Sequence, residues 1–120
     1  MTVKEFYEAA GEDYGAVERR FGSAEFVRHL CGRFRSDTCF AELTEALRTG
    51  DAGTAFRAAH TLKGVCLNLG FTRLGSAASD LTERLRGGSL AGADEAYAGV
   101  AEAYRKLLDL LNRTDTEVRS

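Results

Sequence analysis

The chain has 120 residues, which is the usual size of one domain. Hydrophobic residues make up 44%, enough for a core, and the formal net charge of −2 argues against nucleic acid as the main partner. No apolar run is long enough to span a bilayer, and the polar, acidic N-terminus is unlike a signal peptide. We therefore expect a cytoplasmic protein without membrane or nucleic-acid partners.

The numbers of cysteine, proline and glycine residues further limit the possible fold class and the kind of site. The three cysteines, Cys31, Cys39 and Cys66, show no metal-ligand spacing, so we expect reduced, mostly buried thiols and no metal site. There is no proline, and 13 glycines are free to mark helix ends. These features favour an all-α protein.

Apolar residues recur at helical spacing along the chain from its first residues, and no segment shows the alternating pattern of a strand. Glycines divide it into a weaker helical segment over 3–21, broken near Gly11, and four substantial helices over about 23–50, 51–69, 71–86 and 90–112. Ser23 and Asp51 are expected N-caps, and the helix over 23–50 is expected to bend around Asp37. The polar tail, 113–120, is expected to fray.

Short connections between these helices favour antiparallel neighbours. The simplest packing is an up-down-up-down four-helix bundle over about 23–112, with the short N-terminal helical segment over one end. We find no repeat or linker, so we expect a single domain over 1–120.

The helix over 51–69 carries the most informative pattern. On a helical wheel its apolar residues form one stripe, and His60 falls roughly 140° from the centre of that stripe. Lys63 and Gly64 follow three and four residues later and flank His60 on the outer face. The stripe consists of Ala55, Ala59, Leu62, Cys66 and Leu69.

This outer face has a chemical use. A neutral imidazole is a nucleophile at cell pH, and a nearby lysine neutralises the oxygens of a phosphoryl group. A glycine inside a helix costs about 1 kcal/mol relative to alanine, so Gly64 needs a reason such as room for that group and a partner.

The stretch from His60 to Leu74 resembles the signature of histidine-containing phosphotransfer (HPt) domains. The pattern is H-x-L-K-G-x5-G-x3-L, and the resemblance covers about residues 20–112. It implies a phosphorelay intermediate of two-component signalling. Such a protein accepts a phosphoryl group from the phospho-aspartate of a receiver domain and passes it to another receiver, with no kinase activity of its own.

Carried onto this chain, the resemblance implies that His60 is phosphorylated, that Lys63 stabilises the phosphoryl charge and that Gly64 leaves space. Thr82 falls where many members place a histidine-orienting side chain. The receivers belong to response regulators or hybrid histidine kinases and supply their own Mg²⁺, so no cofactor is expected. Apolar residues are candidates for partner docking: Val17, Phe21, Phe56 and Leu67.

Two alternative hypotheses also fit the sequence. In the first, the chain is the phospho-accepting domain of a larger sensor or chemotaxis-type kinase. In the second, it is a non-catalytic helical adaptor. Its initial Met1 and polar tail favour a free-standing protein, expected to be a monomer. A four-helix metal enzyme is remote, because the inward-facing Glu and His residues of such sites are missing.

Overall fold

Helices account for most of the described structure. The computed structural model describes residues 1–116, and their helices in chain order are α1 (Val3–Ala9), α2 (Tyr14–Phe21), α3 (Ala24–Arg35), α4 (Cys39–Thr49), α5 (Ala52–Leu69), α6 (Thr72–Leu85) and α7 (Ala93–Asn112). The all-α prediction is therefore confirmed.

The ends of the central helices follow from local chemistry. Ser23 Oγ accepts from the backbone N–H of Phe26 at 3.1 Å, and Asp51 Oδ1 accepts from that of Thr54 at 3.1 Å, so both predicted N-caps form. Gly50 and Gly70 end α4 and α5 with φ of 76° and 78°, in the left-handed region that glycine adopts without strain. Two-residue turns therefore reverse the chain at these points.

The expected long helix over 23–50 is in fact two helices. Residues 36–38 leave the helical conformation, and the Asp37 carboxylate accepts from the backbone N–H of Cys39 at 2.7 Å. An aspartate side chain that bonds the backbone two residues ahead competes with a continuous helix. The bend predicted at Asp37 is thus a break.

Four antiparallel helices, α4 to α7, form the predicted four-helix bundle, but its first helix is α4 alone and not the whole of 23–50. Buried leucines fill its centre, including Leu43, Leu62, Leu81 and Leu111. The first and last helices of the bundle meet through stacked rings, with the centroids of Phe40 and Tyr104 4.1 Å apart and the planes 9° apart.

The N-terminal helices cover the end of the bundle where α5 stops and α6 starts. Tyr7 Oη donates to the carbonyl of Leu69 at 2.6 Å, and its ring packs against Phe71 with centroids 5.6 Å apart. A Cβ on Gly70 would collide with Val17, so α2 approaches this turn closely. The predicted placement of the N-terminal segment over one end is confirmed.

The start of the polar tail is packed, contrary to our expectation that the tail frays. Thr114 and Thr116 are 5% and 8% exposed, and the N–H of Asp115 donates to the carbonyl of Met1 at 2.9 Å. Arg35 Nη1 donates to Thr116 Oγ1 at 2.7 Å. These bonds hold residues 113–116 against α1 and α3; the rest of the predicted tail, 117–120, lies outside the described residues.

The cysteines are free thiols, with Cys31 and Cys66 buried and Cys39 half-buried. Burial raises the pKa of Cys31 to about 11 and that of Cys66 to about 12, which keeps both neutral. Within residues 1–116, no helix combines the length and apolar character that crossing a membrane requires.

Candidate functional site

Helix α5 separates its core face from its outer face as the wheel predicts. All five residues of the predicted apolar stripe are buried, and Ala58 joins them. His60, Thr61 and Gly64 are exposed on the opposite face, while Lys63 is half-buried between the two faces. The helix thus presents the motif to solvent and uses the other side to hold the bundle.

The imidazole of His60 is placed by ring contact. No hydrogen bond joins it to any residue of the described 1–116 range. Its ring lies parallel to that of Phe56, one turn earlier, with centroids 6.0 Å apart and an angle of 9° between the planes. Both ring nitrogens therefore remain available to a reaction partner.

Lys63 and Gly64 complete the outer face. Lys63 forms no ion pair within 4 Å with a described residue, so its ammonium is available to an incoming anion. A Cβ built on Gly64 would meet nothing within 4 Å. Nothing among the described residues thus explains the absence of a side chain at position 64.

A charge pair from α6 lies beside this face. Arg86 donates from Nε and Nη2 to the two carboxylate oxygens of Glu83, at 3.0 and 2.8 Å. The Arg86 guanidinium also lies 5.3 Å from the centre of the Phe56 ring. Arg86, by hydrogen bond and charge, holds the pKa of the Glu83 carboxyl below its usual value, and the Lys63 charge lowers it further.

Thr82, our expected histidine-orienting residue, is wholly buried. Its hydroxyl donates to the carbonyl of Ala78, one turn earlier, at 2.7 Å. Within the described residues no hydrogen bond joins its side chain to His60, and the donor of its hydroxyl is already used. The orienting role of Thr82 therefore stays a prediction without a supporting contact.

The four docking candidates differ in exposure. Leu67 is 43% exposed on α5, seven residues beyond His60, while Phe56 and Phe21 are half-buried. Val17 is only 2% exposed and packs beneath Gly70. A side chain with so little exposure offers a partner almost no surface, so we leave Val17 out of the docking surface proposed below.

Sequence reasoning missed several residues around the site. Arg20 Nη1 donates to the carbonyls of Leu67 and Asn68, at 3.1 and 2.6 Å, and so attaches α2 to the end of α5. Phe26 is 45% exposed and packs against Phe21. Neither a surface arginine nor a helical phenylalanine carries a sequence signal that distinguishes these placements.

Gly75 is a second missed feature, on α6. A Cβ there would lie 2.7 Å from Leu67 Cδ2, so this glycine allows α5 and α6 to approach and seats Leu67. A glycine in the middle of a helical pattern was the available signal.

No group of three or more His, Cys, Asp or Glu residues in the described part of the chain is arranged to hold a metal ion. The His60 ring packs against Phe56, the Arg86 guanidinium lies over that same Phe56 ring, and the Glu83 carboxylate is engaged by Arg86. This donor set suits an anion better than a cation.

The fold and site together define a helical-bundle protein that presents one solvent-facing histidine beside a lysine and an open glycine. The family model described as Hpt domain matches residues 25–116. The chain therefore belongs to the Hpt domain family, and the resemblance found in the sequence is confirmed. Comparisons with curated proteins and with solved structures gave no match.

Membership implies phosphotransfer in two-component signalling. Hpt domains are phosphotransfer modules without intrinsic kinase activity, and they interact with receiver domains in phosphorelays. The matched range contains all of α4 to α7 and begins within α3. Helices α1 and α2 lie outside it.

Proposed function

We propose that this protein is a phosphorelay intermediate, which accepts a phosphoryl group on His60 from the phospho-aspartate of one receiver domain and passes it to another. One observation carries the proposal. Among residues 1–116, the exposed His60 imidazole has no hydrogen-bond partner, Lys63 has no ion-pair partner within 4 Å, and nothing lies within 4 Å of a Cβ built on Gly64.

The proposed reaction is a nucleophilic displacement at phosphorus. The lone pair of a neutral ring nitrogen of His60 forms the N–P bond as the P–O bond to the aspartate breaks. The bonding pair of that P–O bond leaves with the aspartate as a carboxylate. The second ring nitrogen keeps its proton, and the positive charge of the resulting ring offsets part of the phosphoryl charge. Transfer to the next receiver reverses these changes.

Lys63 and Gly64 serve this reaction in different ways. The Lys63 ammonium, one turn beyond His60, offsets the negative charge of the phosphoryl oxygens. Gly64 leaves the space above the imidazole open, so that the receiver brings its aspartate into line with the ring nitrogen. A side chain at position 64 would stand in the path of that approach.

The proposed docking surface consists of Phe21, Phe26, Phe56 and Leu67. Leu67 and Phe26 are exposed large apolar side chains, and the Arg20 bonds bring the end of α2, with Phe21, next to the end of α5. A partly exposed apolar surface beside a reactive group fits a partner that binds transiently. We propose that the receiver contacts this surface and brings Mg²⁺ in its own acidic pocket.

The test uses the whole chain mixed with a receiver domain carrying a labelled phospho-aspartate and Mg²⁺. We expect label on the native chain that survives base and is lost in acid, as a phosphoramidate should behave. His60→Gln should remove the label. His29→Gln is the matched control, because it changes the other histidine of the chain and should leave labelling intact.

Each alternative reading predicts a different result. Label from a histidine kinase with ATP, but from no receiver, would identify a phospho-accepting domain of a kinase. Label from neither source, on a chain that still binds its partners after His60→Gln, would identify a helical adaptor.

A further inference from the structure

Glu83 is a carboxylate that cationic side chains of the site act on. Its carboxylate receives two hydrogen bonds from Arg86, and the charge of Lys63 acts on it as well. Arg86 is thus its direct partner while the imidazole is unmodified, and the Lys63 charge adds a smaller effect. The proposed relay assigns roles to His60, Lys63 and Gly64 and none to Arg86.

We propose that Glu83 is an anionic placeholder, which holds Arg86 beside the unmodified site and releases it to the phosphoryl oxygens when His60 is phosphorylated. This inference rests on the proposed phosphorylation of His60. The exchange makes and breaks no covalent bond, because Glu83 returns to solvent as a carboxylate and Arg86 keeps its charge.

The exchange is energetically reasonable because the Glu83–Arg86 pair is exposed. The side chains of Arg86 and Glu83 are 56% and 57% exposed, and ion pairs at such exposed positions are weak because solvent screens them. A phosphoryl group carries more charge than a carboxylate and offers three acceptor oxygens to a guanidinium. A dianion near the pair therefore competes successfully for Arg86.

Distance also permits the exchange. The guanidinium lies 5.3 Å from the Phe56 ring centre, and that ring lies 6.0 Å from the imidazole centre. Even with both contacts in line, Arg86 is within about 11 Å of the imidazole centre, and the phosphoryl group extends beyond the ring. Rotation of a long, exposed arginine side chain covers the difference.

The test modifies His60 with phosphoramidate, a small-molecule donor that needs no receiver. A His29→Gln background leaves His60 as the only histidine. The last ionisation of the phosphoryl group is then followed by ³¹P NMR as pH is varied, since a nearby cation favours the dianion. We expect Arg86→Ala to lower the acid ionisation constant of the phosphoryl group about threefold, because a cation that favours the dianion is lost. Glu83→Gln should raise this constant, and Arg86→Lys should keep it near the parent value.

A matched control lies on α4, where Arg48 makes the same two-bond contact with Glu45 three residues earlier. Arg48→Ala should leave the ionisation constant unchanged. Equal constants for Arg86→Ala, Arg48→Ala and the parent would overturn the inference. Because the donor is a small molecule, this result is separate from any failure of receiver transfer, which would overturn the relay instead.

Discussion

The imidazole of His60 and the phenyl ring of Phe56 lie parallel, with centroids 6.0 Å apart and 9° between their planes. This contact replaces hydrogen bonding as the restraint on the histidine, since neither ring nitrogen is bonded to a residue of the described chain. The His60 side chain is therefore held by its face, and neither nitrogen is used in a hydrogen bond to a described residue.

Phe56→Leu tests that restraint. Leucine keeps most of the apolar volume but loses the flat contact, which is worth about 0.5–1.5 kcal/mol between aromatic rings. We expect His60 to react with phosphoramidate roughly two- to fivefold more slowly, because part of that free energy now goes into ordering the ring. The control is Phe26→Leu, which removes the ring stacked on His29 instead. Equal effects of the two substitutions on His60 would show that the Phe56 contact does not position the imidazole.

Gly64→Ala should separate stability from function. No described residue lies within 4 Å of a Cβ at position 64, so the free protein should gain roughly 0.5–1 kcal/mol in unfolding free energy from better helix propensity. Transfer from a receiver should nevertheless fall by roughly tenfold or more, because the methyl group stands where we place the partner. Urea unfolding and transfer kinetics measure the two effects.

Gly99→Ala on α7 is the matched control for Gly64→Ala. Gly99 is also exposed inside a helix, and no atom of the described part of the chain lies within 4 Å of its Cβ position. It should give the same stabilisation and leave transfer unchanged. Parent-like transfer by Gly64→Ala would remove the proposed role of that glycine.

Thr82→Val addresses the orienting role that the sequence suggested. The hydroxyl of Thr82 bonds the carbonyl of Ala78 and valine has nearly the same shape, so we expect transfer within about twofold of the parent. Unfolding free energy should change by about 1 kcal/mol or less. A large loss of transfer at unchanged stability would show that the hydroxyl acts on His60 after all.

Arg20→Gln tests the attachment of α2 to the bundle. The guanidinium donates to two carbonyls at the end of α5, and its loss should lower the unfolding free energy by roughly 0.5–1 kcal/mol, given its exposure. Amide hydrogen exchange should speed up in α2 more than in α5. Arg19→Gln changes a neighbouring exposed arginine without such bonds and should have neither effect; faster exchange in both variants would assign the change to lost charge alone.

Local sequence patterns were sufficient to predict most of the helices. Ser23 and Asp51 were predicted as caps because a short polar side chain reaches a backbone N–H two or three residues ahead, whatever the rest of the fold does. The break at 36–38 was predicted only as a bend, because periodicity does not show whether Asp37 bonds a backbone N–H or faces solvent. The packing of Thr114 and Thr116 depends on α1 and α3, which are distant in sequence.

The sequence by itself determined the family and the outer face of α5. His60, Lys63 and Gly64 lie within five residues of one another, so helical geometry alone puts them on one side, away from the apolar stripe. Only the tertiary structure decided what surrounds that face. Arg86, bonded to Glu83, reaches the Phe56 ring because α6 folds back antiparallel to α5, and Val17 leaves the surface because α2 packs beneath Gly70. Contacts between residues far apart in sequence depend on how the helices pack, and periodicity within one helix carries no record of that packing.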